Sequence, residues 1–159
     1  MSFKCLVFRL HRLCRLYEEV ARVALRAKPD SFHVFLAWPP FAGCYTVVVL
    51  DGLQPIAVLD LLVDAKGRAE IAYASTSPCA VGRALEALSH AIDVAVALAE
   101  KHGAKTIAAK TLTREEAIEL EKAGLEIDVE AVLEQEEILE EALKRKGFRK
   151  TADGWLKKL

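Results

Sequence analysis

The sequence predicts one α+β (mixed α/β) domain that spans residues 1–159. Two patterns predict this class. Three strand-like segments are joined by tight turns at Asp51-Gly52 and at residues 64–67, which is typical of an antiparallel meander. A long helical segment then leads to a further strand, as in a right-handed parallel crossover. A chain of 159 residues is long enough to bury one core.

The first elements alternate strand and helix. Residues 3–10 contain Phe and Val and predict a strand. Residues 11–27 place apolar side chains at three- and four-residue spacing and predict an amphipathic helix. A short second helix is predicted over 31–38, before two prolines. The meander follows, with predicted strands at 44–50, 54–63 and 68–75.

The central helix is predicted over residues 79–102. Ser77 is placed to cap it, Pro78 suits the first helical position, and Gly103 ends it. A strand at 105–111 returns to the sheet. Thr113 and Glu116 fit a capping box for a helix over 114–122.

The last third is predicted to hold a second acidic helix. Asp128 is the expected cap of this helix, which runs to about residue 146. The tail predicts a short strand, a turn at Asp153-Gly154 and a second strand.

Composition excludes several functional classes. The formal net charge of -1 argues against a nucleic-acid or membrane-surface binder. No apolar run reaches transmembrane length. Lys4, Arg9 and Arg12 interrupt the first apolar run, which differs from a secretory signal, so a cytoplasmic location is expected. The chain has no Asn, two Gln and no Met beyond the first residue, and this loss of thermolabile residues predicts a thermophilic source.

The four cysteines do not form a metal-binding pattern. They lie at Cys5, Cys14, Cys44 and Cys79, without any C-x-x-C pair, so no metal is expected. Small buried apolar residues are the favoured interpretation of each. An intracellular disulfide remains open, since hyperthermophiles make them, but the sequence does not choose a pairing.

The strand, short turn and helix over residues 68–102 predict an anion site. Free N–H groups of a first helical turn, together with the helix dipole, favour phosphate. Gly82 lies in that turn, where a missing side chain lets a ligand approach the main chain. Close packing of the helix start on the sheet is the alternative.

The order and spacing of these segments resemble the GNAT acyltransferase superfamily along essentially the whole chain. Residues 69–73 and the following Ser77-Pro78 are similar to the family's fourth strand and its exit turn. Residues 80–85 resemble the end of the acetyl-CoA loop, and 102–107 resemble the exit into the fifth strand. Residues 141–148 resemble the C-terminal helix that ends in Gly-Phe.

The resemblance implies a mostly antiparallel twisted sheet flanked by helices, and an N-acetyltransferase that moves an acetyl group from acetyl-CoA to an unidentified amine. The amine belongs to a small molecule or a protein. Glu70 is the candidate general base, and Tyr73, or else Ser75, the candidate replacement acid. Strand alternation places Glu70 with Ala72, Ala74 and Thr76 and opposite Tyr73 and Ser75, which favours a solvent-facing Glu70 and a Tyr73 packed in the core. The implied coenzyme-binding residues are Ala74, Ser75, Thr76, Cys79, Ala80, Val81, Gly82, Arg83 and Ala84.

Two departures from the family pattern support other functions. Cys79 stands where the coenzyme loop usually has Gln or Arg, and Leu143 stands where the last helix usually has a Tyr acid. A catalytically degenerate binding or assembly protein is therefore the second hypothesis. A homo-oligomer, such as a homodimer, that buries the helices at 113–142 is the third. Those acidic helices are predicted to be mainly solvated, although they could attract a basic partner.

Overall fold

A computed structural model of the protein describes residues 4–9, 43–52, 54–77, 80, 82–124, 126 and 128–159. The predicted helices at 11–27 and 31–38 lie outside these residues. The strands are β1 (Lys4–Arg9), β2 (Gly43–Asp51), β3 (Gln54–Val63), β4 (Arg68–Thr76), β5 (Thr106–Ala109), β6 (Arg149–Thr151) and β7 (Gly154–Lys158). The helices are α1 (Ala84–Lys101), α2 (Arg114–Lys122) and α3 (Val129–Arg145).

All seven strands form one sheet in the order β1-β2-β3-β4-β5-β7-β6. Only β4 and β5 are parallel, and the other described pairs are antiparallel. The meander and the crossover are thus as predicted. The tail also forms two strands, although their turn lies at Ala152-Asp153, one residue before the predicted position.

One face of the sheet carries the core against α1. Leu59, Leu61 and Ile71 contribute from the sheet, and Ala91 and Ile92 from the helix. All five side chains are at most 3% exposed, and burial of such apolar area is the main stabilising term in folding. The small alanines of α1 let the helix approach the sheet closely, which fixes the start of α1 relative to the end of β4.

The two later helices begin at the predicted caps. Thr113 Oγ1 accepts a hydrogen bond from Glu116 N at 3.2 Å, and Thr113 N donates to Glu116 Oε2 at 3.0 Å. Asp128 Oδ1 accepts from Ala131 N at 3.2 Å. Helix α3 packs on α1 and on β4, and it buries Leu139, a core residue. The capping residues therefore position α3 over the end of β4.

The prediction for the start of the central helix was wrong. Helix α1 begins at Ala84, and its N-cap is Arg83, so Ser77 is not its cap; Pro78 lies outside the described residues. The reason is Gly82, whose φ of +75° lies in the left-handed region and cannot continue an α-helix. Ala80 N donates to Ser77 O and Arg83 N donates to Ala80 O, which makes two successive single turns before the helix.

Candidate active site

The parallel pairing of β4 with β5 ends at Ile71. The register with β5 runs from Arg68 opposite Thr106 to Ile71 opposite Ala109, and β5 ends there. From Ala72 onward, the main-chain groups on this edge of β4 have no strand beside them among the described residues. A ligand can therefore reach main-chain groups of β4 in the gap where β4 and β5 separate.

A bulge in β4 changes which side chains face this gap. The pairing with β3 moves from Ile71 opposite Leu61 to Tyr73 opposite Asp60, so Ala72 is the extra residue. Directly opposed residues of an antiparallel pair share a face. Glu70 and Tyr73 therefore lie on one face of the sheet.

The same reasoning places Ser75, opposite Val58, on the face of Glu70 and Tyr73. This corrects the simple alternation, which placed Glu70 with Ala72, Ala74 and Thr76 and opposite Tyr73 and Ser75. The bulge thus brings the predicted base and both candidate acids together.

A cavity of about 940 Å³ opens at the gap, between β4, the segment after β5, α2 and α3. Its apolar lining residues are Ile71, Ala72, Ala74, Leu112, Leu120, Ala123, Val132 and Leu139. Its polar lining residues are Glu70, Tyr73, Lys110, Thr111, Glu116, Glu119 and Glu136. A largely apolar cavity of this size with a few converging polar groups has the form of a small-molecule site.

Glu136 is the most perturbed acid that lines the cavity. Burial raises its pKa to about 7, a hydrogen bond from Leu112 N opposes the rise, and the charges of Glu140 and Glu116 add to it. Glu136 Oε2 accepts that bond at 2.6 Å, which fixes the carboxylate. A carboxyl group with a pKa near neutrality can take a proton at physiological pH and release it again.

Tyr73 stands beside this acid in a protonated state. Burial raises the pKa of Tyr73 to about 12; the hydrogen bond with Ser75 lowers it, and the charges of Asp60 and Glu136 raise it. The phenol therefore keeps its proton at every ordinary pH. It is therefore a weak proton donor.

Gln135 occupies the free edge of β4 at Thr76. Its Oε1 accepts from Thr76 N at 3.1 Å, and its Nε2 donates to Thr76 O at 3.1 Å. Its Oε1 also accepts from Ser75 Oγ at 2.5 Å. The side-chain amide thus takes the place of a neighbouring strand's peptide group and ties α3 to the end of β4.

The turn that was predicted to bind an anion differs from the expected arrangement of free main-chain N–H groups. Ala80 N and Arg83 N are already bonded within the turn, and Arg83 forms an ion pair with Asp51. The first ladder bond of α1 runs from Ala87 N to Arg83 O. The amides of residues 84–86, one turn later than predicted, precede this bond in the described part of the helix, at the position where the N–H groups of a first helical turn can face an anion.

The remaining predicted coenzyme residues divide between the cavity and the turn. Ala74 lines the cavity, and Thr76 is buried behind Gln135. Gly82 is exposed, and a Cβ built on it would meet no atom within 4 Å, so its surroundings are open. Cys79 and Val81 lie outside the described residues.

The expectation of a solvated acidic face at 113–142 holds only in part. Arg114 and Glu130 do form an exposed ion pair, with Nη1 and Oε1 2.8 Å apart. Glu136, however, lies within the apolar stripe of Val132, Leu139 and Leu143, at helical spacing. That carboxylate among apolar positions was the sequence signal for a site residue.

The structure was compared with known proteins. No model of a protein family matches the sequence, and no curated protein is significantly similar to it. The IAA acetyltransferase from Bacillus cereus ATCC 14579 is a structural neighbour, with a TM-score of 0.58 and 13% identity over 95% of this chain and 79% of that chain.

Two further neighbours are more distant. A tandem GNAT protein from the clavulanic acid biosynthesis pathway has a TM-score of 0.45 and 21% identity over 70% of this chain and 38% of that chain. The PaiA N-acetyltransferase from Thermoplasma acidophilum, solved in complex with coenzyme A, has a TM-score of 0.49 and 13% identity over the full length of both.

The first neighbour shares the α+β architecture over nearly the whole chain, which confirms the predicted fold class. Within the described residues, no helix is long and apolar enough to cross a membrane.

Proposed function

We propose that this GNAT-fold chain is an N-acetyltransferase that moves an acetyl group from acetyl-CoA to an amine. The observation that carries the proposal is Glu136, a carboxylate with a pKa near 7 in a cavity where β4 and β5 part. A base for an ammonium needs a raised pKa and a fixed position, and Glu136 has both. A neighbour of the same fold is described as an acetyltransferase, which supports the proposal.

The proposed reaction needs two proton transfers. Glu136 takes a proton from the bound ammonium, and the free nitrogen attacks the thioester carbonyl. The C–N bond forms as the C–S bond breaks, and the proton left on nitrogen goes to the departing sulfur. Positioning of the amine against the thioester supplies much of the acceleration, since both reactants are then held in one cavity.

Glu70 and Tyr73 have supporting roles in this proposal. Glu70 lines the cavity on the face of Tyr73, where its charge attracts the ammonium, and it is the alternative base. Tyr73, with a pKa of about 12, would turn its hydrogen bond from Ser75 to the sulfur as negative charge develops there. It stabilises the leaving group without losing its own proton.

The coenzyme is proposed to lie across the end of β4. Its uncharged arm would follow Ala74, Ser75 and Thr76, and its pyrophosphate would sit over Gly82 and the first amides of α1, beginning with Ala84. The open space at Gly82 supports this position. Arg83, which pairs with Asp51, lies at the same helix start.

A melting experiment tests the proposal. Acetyl-CoA at about 100 times its dissociation constant stabilises a protein by roughly 2.7 kcal/mol, or about 5–10 °C for a domain of this size. Gly82→Val should abolish the shift, because its side chain would fill the approach to the main chain. Gly124→Val is the matched control, since Gly124 also has a positive φ, of +92°, and open surroundings.

The control separates strain from lost binding. At both positions the backbone is left-handed, and holding a valine in that conformation costs about 1–2 kcal/mol. Both variants should therefore melt at a lower temperature without ligand. Only Gly82→Val should lose the response to acetyl-CoA. An equal response in the two variants would move the coenzyme away from this turn.

A binding or assembly protein without transferase activity is the second candidate. Gln135 already holds both main-chain groups of Thr76, at the strand end where the coenzyme is proposed to lie. Leu143, which stands at the position of the family's acid, is fully buried in the core. If millimolar acetyl-CoA leaves the melting curve of the unmodified protein unchanged, this second function replaces the first.

A further inference from the structure

The cavity combines an apolar body with an excess of negative charge. Four carboxylates line it, and Lys110 is the one cationic side chain among its described lining residues. Lys110 Nζ lies 3.5 Å from Glu116 Oε1, so its charge is already directed to a carboxylate. Glu70 and Glu119, together with Glu136 once it has lost its proton, leave the potential in the cavity negative.

The walls limit what kind of cation fits. Leu112, Leu120, Val132 and Leu139 surround the carboxylates and offer apolar contact rather than further hydrogen-bond partners. Among the described residues, no group of carboxylates is placed to hold a metal ion. An organic cation with an apolar body would satisfy both the walls and the charge.

We propose that the cavity binds a primary amine with an apolar alkyl or arylalkyl body and no carboxylate of its own. Its role as acyl acceptor rests on the proposed transferase function, but its binding does not. An amino acid would bring a carboxylate into a field that repels it. The phosphates of acetyl-CoA would be repelled in the same way, so the coenzyme could enter only by its uncharged end.

The geometry also orients the amine. Glu136 is held by Leu112 N on α3's side of the cavity, and Glu70 projects from β4 on the other. An ammonium between them would lie beside the β4 edge, where the thioester is proposed. The apolar body would extend along Leu120 and Ala123 of the α2 segment.

Three matched ligands test the inference without acetyl-CoA present. 2-Phenylethylamine, phenylalanine and 2-phenylethanol share one aromatic body and differ in charge. Binding by calorimetry is expected to favour the amine at least tenfold over both others, and to weaken as salt rises. Hexylamine is included so that the result does not depend on an aromatic ring.

Variants locate the binding. Glu136→Gln and Glu70→Gln should each weaken amine binding several-fold, and Glu137→Gln, at an exposed position of α3, should not. The inference is overturned if phenylalanine binds as tightly as the amine, if neither amine binds at 10 mM, or if the two cavity variants bind like Glu137→Gln.

This outcome is separable from that of the transferase proposal. Amine binding without any response to acetyl-CoA would support the cavity assignment and remove the transferase function. Turnover of acetyl-CoA with carboxylate-bearing amines only would support the transferase function and overturn the cavity assignment.

Discussion

Replacing Glu136 by Gln should make the protein more stable at alkaline pH while removing its proposed activity. Glutamine keeps the size of the side chain and an oxygen that can accept from Leu112 N, so the 2.6 Å bond has a substitute. The substitution therefore removes only the ionisable group. The variant therefore isolates what the buried charge costs the folded state.

The magnitude follows from the pKa. Glu136 titrates near 7 in the folded protein against an ordinary value of 4.5, which corresponds to about 3 kcal/mol at 1.36 kcal/mol per pH unit. Because the folded-state pKa is raised, the folded protein keeps a proton that the unfolded chain has lost. This contribution is fully present below pH 4.5 and is lost as the pH rises through 7.

Denaturant unfolding at pH 4.5 and pH 8.5 measures the effect. The free energy of unfolding of Glu136→Gln, relative to the unmodified protein, should rise by about 3 kcal/mol between the two pH values. Glu137→Gln serves as the control, because its exposed carboxylate should give a nearly constant difference. Other titrating groups are common to all three proteins and cancel.

One result would refute this reasoning. If the difference between Glu136→Gln and the unmodified protein stays constant within about 0.5 kcal/mol across the range, Glu136 is not desolvated as the geometry requires. In the transferase assay, the same variant should lower kcat by about 10²–10⁴, the usual contribution of a general base. An unchanged kcat would give the base role to Glu70.

Three further predictions concern the surroundings of the site. Gln135→Ala should lower the free energy of unfolding by about 2 kcal/mol, because Thr76 N loses its partner, whereas the exposed Glu134→Ala should change it little in the same urea titration. Leu143→Tyr should cost about 1–3 kcal/mol by overpacking and give no gain in turnover, since Leu143 is fully buried; a faster enzyme would contradict this. Light scattering over a hundredfold concentration range tests the predicted homodimer, and Leu120→Glu, at an exposed apolar position of α2, should lower the mass if that helix forms the contact.

Local patterns in the sequence were sufficient for most elements of the fold. The strand at 54–63 and the helix at 114–122 have the predicted bounds, because turn residues and a capping box mark their ends. The parallel pairing of β4 and β5 also follows from the strand, helix, strand order. The bounds of these elements depend on residues close together along the chain, and the strand pairing depends on the order of the elements.

The site was less predictable because it depends on distant contacts. The helix start moved to Ala84 since Gly82 takes a left-handed conformation that its residue type permits but does not require. The raised pKa of Glu136 arises from its burial between α3 and the segment after β5, at Leu112. A single sequence does not state that proximity, although a glutamate in an apolar stripe hints at it.

The amide-poor composition acquires a structural meaning. Of two Gln in the chain, Gln135 makes three hydrogen bonds to the end of β4. Neither an alcohol nor a carboxylate can both donate and accept with this spacing, so an amide is required. The sequence showed the scarcity of amides but not the reason that this one was kept.

The extra residue in β4 has a consequence for how such a site changes in evolution. Loss of one codon at Ala72 would leave the strand's start paired with β5 and the chain's path nearly intact. It would remove the bulge but keep Tyr73 and Ser75 on the side of Glu70, because Tyr73 would then follow Ile71 in regular alternation opposite Asp60. The bulge therefore lets the strand carry one more residue than its partner without moving Tyr73 and Ser75 away from the face of Glu70.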